Sequence, residues 1–297
     1  MTKLELSRYN DFLFTINMLS YKKEISQIYR GDSLENLCKK LNIDYQQEST
    51  DTDLVCERLF MVGEKAKRYY IDDNSFKIND YEDVVFEKII KYFNDSIKNK
   101  HKNIKKFFDR NSALRDFFID KNNKSIFKEK IRKASEQEKL VIRDYYLTLL
   151  HQLAAINYKN KSHFVSTSED YLIAESFSRS RKEKYRVILH CWQPIKHEKH
   201  TVKKFSLPTY TFHPFQYQKE YSLLGGILPH FIHMIEFCYL NKFVPNPNIF
   251  NRDINEYSFY YGLDIDQSNF FSVLELTNYK KSITTNGSIY WENISNK

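Results

Sequence analysis

Three short stretches of this 297-residue chain carry residue types that could do chemistry together. Tyr217-Gln-Lys-Glu-Tyr-Ser-Leu-Leu224 reads as a strand closed off by Gly225-Gly226. Alternation along a strand puts Gln218, Glu220 and Ser222 on one face, with neighbouring Cα atoms about 6.5 Å apart. An amide and a carboxylate that close can address two parts of one bound molecule; the plainer reading is a strand with one wet face. Glu24-Ile-Ser-Gln-Ile-Tyr-Arg30 reads as a short strand ending at Arg30-Gly31, where glycine allows a sharp turn. A guanidinium at a strand end suits bidentate binding of a phosphate, and equally suits a surface salt bridge. Ser166-Thr167-Ser168 places three hydroxyls at the exit of a strand, where they can hold a sugar or a carboxylate, or simply cap the following helix.

Other chemistry-bearing residues are less organised. Cys38, Cys56, Cys191 and Cys238 lie far apart with no CxxC pair, which indicates neither a zinc site nor a disulfide framework. His230, His233 and Glu236 would line one side of a helix, too few for a complete ligand set, so no metal is expected.

The elements that must position these groups follow from the pattern. A helix is expected over residues 4–20, from the spacing of Tyr9, Phe12, Leu13, Ile16 and Leu19. Residues 34–41 suit a short helix, and 46–53 a loop; 59–71 are ambiguous between helix and strand. Phe86, Ile89, Ile90, Phe93 and Ile97 make a second helical stripe. Residues 98–133 mix many Lys and Arg with Phe107, Phe108, Phe117 and Phe118. That segment is the best nucleic-acid candidate in the chain, and also reads as an amphipathic insert with a solvated Lys face. Ser135-Glu-Gln-Glu138 is a capping box opening a helix to about residue 156. Ser168 is the expected cap of another helix, whose inner face would hold Ile173, Ala174 and Phe177. Residues 185–193 alternate like a central strand, and Pro229–Leu240 reads as a helix. Residues 270–276 suit one more strand or helix.

The totals bound the answer. A chain 41% hydrophobic and 28% charged can bury a core. Six glycines and six prolines are too few for an all-β chain of tight turns. The net charge of +8 is compatible with a nucleic-acid or acidic partner. The charged N-terminus and the lack of a long apolar run point to a cytoplasmic protein with no membrane association.

Tyr29-Arg30-Gly31, Ser166-Thr167-Ser168 and Gln218-Lys219-Glu220, in that order, resemble the R-S-E class of ADP-ribosyltransferases. Tyr-Arg-Gly and Leu150-His-Gln-Leu-Ala154 also resemble its FRG branch, although Ser-Thr-Ser-Glu-Asp replaces that branch's Thr-Arg-Leu-Leu-Asp. The resemblance spans roughly residues 25–232. It implies an α+β fold: one ADP-ribosyltransferase-like domain, residues 1–297, with a split β-sandwich core. A basic helical insertion would occupy about 46–133 and a C-terminal extension about 241–297.

The resemblance also implies NAD as co-substrate. Glu220 would stabilise the charge on the ribose and Ser166 would orient Glu220. Arg30, beside Gly31, would hold the phosphates. Thr167 and Ser168 would shape the nicotinamide pocket over Phe177, and Gln218 would position the acceptor. Gln in place of Glu at 218 departs from arginine-directed members, leaving other side chains or a nucleobase as acceptor. The implied function is mono-ADP-ribosylation of a macromolecule, with nucleic acid favoured over protein. Similar enzymes act as toxins in toxin–antitoxin and phage-defence systems, which implies a neutralising antitoxin partner. NAD hydrolysis on the same fold, or a non-catalytic nucleic-acid-binding module, are the competing readings.

Overall fold

A computed structural model describes residues 2–46, 49–65, 82–153, 164–179, 185–194, 215–224, 226–249, 279–283 and 289–293. The chain is mixed α and β and divides into two compact units: residues 1–71, 165–204 and 218–297, and residues 72–164 with 205–217.

The first unit is built on a six-stranded sheet. Its strands are β1 (Ile25–Ser33), β2 (Phe164–Ser168), β3 (Arg186–Pro194), β4 (Glu220–Leu224), β5 (Ile232–Phe237) and β6 (Lys242–Pro245), in the order β4-β2-β1-β3-β5-β6. The pairs β1–β2, β1–β3, β3–β5 and β5–β6 are antiparallel. Helices α1 (Lys3–Tyr21), α2 (Leu34–Lys40) and α3 (Thr52–Val62) belong to the same unit. The periodic apolar residues of α1 explain its burial: Tyr9, Phe12, Ile16 and Leu19 enter the core. Ile28, Val165, Leu189, Tyr221 and Leu223 supply the sheet's side of that core.

The second unit is helical. Its helices are α4 (Glu82–Ile97), α5 (Lys102–Arg110), α6 (Ser112–Ile119), α7 (Asn123–Lys133) and α8 (Glu136–Leu153). The capping box before α8 forms as the spacing requires: the Ser135 N–H donates to Glu138 Oε2 (2.7 Å) and the Glu138 N–H to Ser135 Oγ (3.3 Å). The core of this unit is aromatic. Phe93 and Phe118 lie 4.4 Å apart between ring centres, with Phe108, Phe127 and Tyr146 around them. Phe107, Phe108 and Phe118 are therefore buried side chains and present no stacking surface to solvent.

Three local readings are corrected. Residues 229–240 are not a helix: Pro229–Phe231 is one 3-10 turn, and β5 follows. Ile232, Ile235 and Phe237 are β-formers that bury completely, and strand pairing with β3 outweighs the helical start signal of Pro229. The helix after β2, α9 (Tyr171–Arg179), begins at the residue after Asp170, whose Oδ1 accepts from the Leu172 N–H at 3.0 Å. Asp170, and not Ser168, thus caps it. Its buried side chains are Ala174 and Ser178, while Phe177 is 43% exposed. Residues 270–276 lie outside the described residues. A two-stranded hairpin, β7 (Tyr279–Ile283) with β8 (Ile289–Asn293), lies near the C-terminus.

Candidate active site

The three motifs lie far apart in sequence and on neighbouring strands in space. Arg30 is on β1, Ser166–Ser168 on β2 and Glu220 on β4, and these strands sit side by side in the order β4-β2-β1. Side-chain hydrogen bonds join them. Arg30 Nη1 donates to the Ser166 carbonyl (2.7 Å), Thr167 Oγ1 to the Tyr221 carbonyl (2.6 Å) and Ser168 Oγ to the Gln218 carbonyl (2.7 Å).

Alternation divides the side chains between two faces. Val165 and Tyr221 belong to the apolar core, so Ser166, Ser168, Glu220 and Ser222 point to the other face. Tyr29 is the register partner of Ser168 and shares that face. Its ring packs edge-on against His190 and Tyr171, at 5.3 and 5.7 Å between centres. Glu220 is half-buried, and Ser222 Oγ donates to its Oε1 at 2.9 Å, fixing the carboxylate's orientation.

Arg30 faces the opposite way, with Ile28 toward the core. It sits inside the strand, not at its end, and only 11% of its side chain is exposed. Its Nε lies 2.5 Å from Glu64 Oε2 and its Nη2 3.1 Å from Asp32 Oδ2. Lys40 closes the group, contacting Glu64 Oε1 at 2.6 Å and Asp32 Oδ2. Burial disfavours the Arg30 charge, but the Glu64 and Asp32 carboxylates outweigh it and hold the group protonated. Burial likewise opposes ionisation of Glu64, and Arg30 and Lys40 reverse that, leaving its carboxyl below the usual range. An open phosphate clamp is thus not what Arg30 provides. Its fork is spent on two carboxylates and one carbonyl, which the sequence alone does not reveal because Glu64 is 34 positions away.

Gly31 also differs from expectation. The chain does not turn there. A β-carbon on Gly31 would stand 1.9 Å from the Ala174 carbonyl oxygen, so glycine permits α9 to rest directly on β1.

Gln218 lies in a 3-10 turn (Gln216–Gln218), and Lys219 takes a positive φ of 43° before β4 begins. Gln218 and Glu220 are therefore not alternate residues of one strand. Thr167 is buried and acts through its bond to Tyr221, and Ser168 is engaged by Gln218 and by the Asp170 N–H (3.0 Å). Thr167 thus ties β2 to β4 itself, and Ser168 ties it to the turn that leads into β4. Exposed Phe177 provides no floor to a pocket.

The same sheet face carries a second polar group that the sequence did not signal. Tyr171 donates to both oxygens of Glu236 (3.0 and 3.2 Å), and Glu236 Oε2 lies 3.0 Å from His190 Nε2. Burial lowers the His190 pKa against the pull of Glu236. Burial, the bond to Glu236 and its charge push the Tyr171 phenol up to about 12. His233, expected beside Glu236 on a helix, instead meets Tyr9 Oη through Nδ1 (3.3 Å). Among the described residues no group of three or more His, Cys, Asp or Glu side chains is arranged to hold a metal ion. No helix among them is long and apolar enough to cross a membrane. Searches against protein-family models, curated proteins and solved structures each found no match.

Proposed function

We propose that this chain is an NAD-dependent mono-ADP-ribosyltransferase with a macromolecular acceptor, its β4-β2-β1 strands forming the core of an ADP-ribosyltransferase-type fold. The observation that carries the reading is the adjacency of the strands bearing Glu220, Ser166–Ser168 and Arg30. Residues separated by 136 and 54 positions come onto neighbouring strands, with Ser166 and Glu220 on one face and Arg30 on the other.

Cleaving the bond between nicotinamide and ribose leaves positive charge on the anomeric carbon. A carboxylate already oriented beside that carbon stabilises the charge without reorganising. Glu220 is such a carboxylate, held through Oε1 by Ser222. Ser166 shares its face and is placed to meet a ribose hydroxyl or Glu220 itself. Arg30 contributes from the far side of the sheet, by gripping the Ser166 carbonyl and so fixing β2 against β1. The NAD phosphates then need a donor other than Arg30. The neutralising partner of a toxin belongs to the same reading.

Incubation with NAD labelled in its adenylate portion, in cell extract, tests this. Label retained on macromolecules with the wild type and lost with Glu220→Gln supports the transferase. Release of free ADP-ribose alone makes the protein an NAD glycohydrolase. Consumption of NAD by neither protein overturns both.

A further inference from the structure

The helical unit presents its positive charge unevenly. Lys124 and Lys128 are paired with Glu87, Lys133 with Glu129, and Arg115 with Asp109 and Asp116. By contrast Lys98, Lys100, Lys102, Lys105, Lys106 and Arg110 are all exposed and form no ion pair among the described residues. On α5, Lys102, Lys105 and Lys106 fall on one face, since positions three and four apart are helix neighbours. Ile104, Phe107 and Phe108 occupy the other face and fix the helix in the aromatic core.

Aromatic rings stand beside this charge. His101 caps α5, accepting from the Asn103 N–H at 3.2 Å, and is itself exposed. Its ring lies 5.3 Å from Phe215, and Phe215 lies 6.3 Å from Tyr217, which is 61% exposed. A row of three rings flanked by unneutralised lysines matches what single-stranded nucleic acid requires. The lysines meet phosphates, and the exposed ring offers a face on which an unpaired base can stack. Duplex buries those base faces. Tyr217 also stands three residues before Glu220 in the chain.

We propose that His101, Phe215, Tyr217 and the unpaired cations of residues 98–110 form a binding platform for single-stranded nucleic acid, and that such a strand is the acceptor of the transferase. The second half rests on the function proposed above; the first does not.

Full-length protein titrated into a fluorescein-labelled 20-nucleotide oligouridylate, read by anisotropy at graded salt, tests the platform. Single strand binds at least tenfold tighter than a duplex of equal length. Reversing three charges (Lys102→Glu, Lys105→Glu, Lys106→Glu) weakens binding at least tenfold and lowers the slope of log K against log salt by about 2, at roughly 0.7 per phosphate contact. Tyr217→Ala weakens binding about tenfold and Tyr217→Phe restores it, because phenylalanine keeps the stacking face. Oligodeoxyuridylate in parallel shows whether the sugar matters. Equal binding of duplex, of polyglutamate, or of the charge-reversed protein overturns the platform. Binding that survives in Glu220→Gln while wild type consumes no NAD keeps the platform and removes the transferase. NAD-dependent labelling that is lost in Glu220→Gln but unchanged by the charge reversal and by Tyr217→Ala removes the bound strand as acceptor and keeps the transferase.

Discussion

The guanidinium of Arg30 and the carboxylate of Glu64 meet at 2.5 Å beneath the sheet, with Asp32 and Lys40 completing a group of two cations and two anions. Glu64 reaches that position through a strand-like bridge, its N–H and carbonyl both paired with Ile227 at 2.9 Å. The preceding Gly63 has a φ of +76°, and a β-carbon there would meet the Ile227 carbonyl oxygen at 2.1 Å. Only glycine allows the chain leaving α3 to deliver Glu64 under β1.

Removing one partner from a buried charge group strands the others. Glu64→Gln should destabilise the protein by about 3–5 kcal/mol, measured by urea denaturation. The Glu64 carboxyl is held below its ordinary value, so its contribution is complete above about pH 4.5 and is lost as pH falls through the lower folded value. An Arg30→Lys protein that unfolds as readily as Glu64→Gln would mark Arg30 as structural. One that stays fully stable while NAD turnover disappears would return Arg30 to the substrate.

Glu220 is only half-buried and its side chain is not among the buried charges, so Glu220→Gln should fold normally. Loss of a preorganised charge at the reacting centre should lower NAD turnover about 100- to 1,000-fold. Unchanged turnover in a folded Glu220→Gln protein sinks the assignment.

His233 is buried against Tyr9 and near His190. Burial, and then His190, push its pKa down to about 3 from an ordinary 6.5. The unfolded chain therefore binds a proton between those values that the folded chain refuses. Stability from this group is full above pH 6.5 and declines as pH falls toward 3. Denaturation midpoints measured from pH 4 to 7 should rise with pH. His233→Phe should flatten that rise.

Gly31→Ala places a methyl group against backbone, not against a movable side chain. The helix α9 must lift off β1, at a cost of about 1–3 kcal/mol. Thermal unfolding of the variant checks this, and an unchanged midpoint would show that α9 does not rest on that glycine.

Much of the secondary structure was legible because it depends on neighbours in sequence. The apolar period of residues 4–20, the Ser135–Glu138 capping box and the alternation of 185–193 each formed the element they predict. Pro229 misled because its preference for a helix start is local, while pairing of Ile232–Phe237 with β3 is not. The strand signal of Tyr217–Leu224 began three residues too early, since nothing in the pattern announces the positive φ at Lys219.

By itself the sequence determined which residues could do chemistry and in what order they occur, because side-chain type and local periodicity are written position by position. Tertiary structure alone decided what each of them touches. It brought β4, β2 and β1 together and put Ser166 and Glu220 on one face. It turned Arg30 to the other, toward a carboxylate 34 residues away. Faces and ion pairs follow from strand register and from long-range packing, and a one-residue change of register would exchange every one of those assignments.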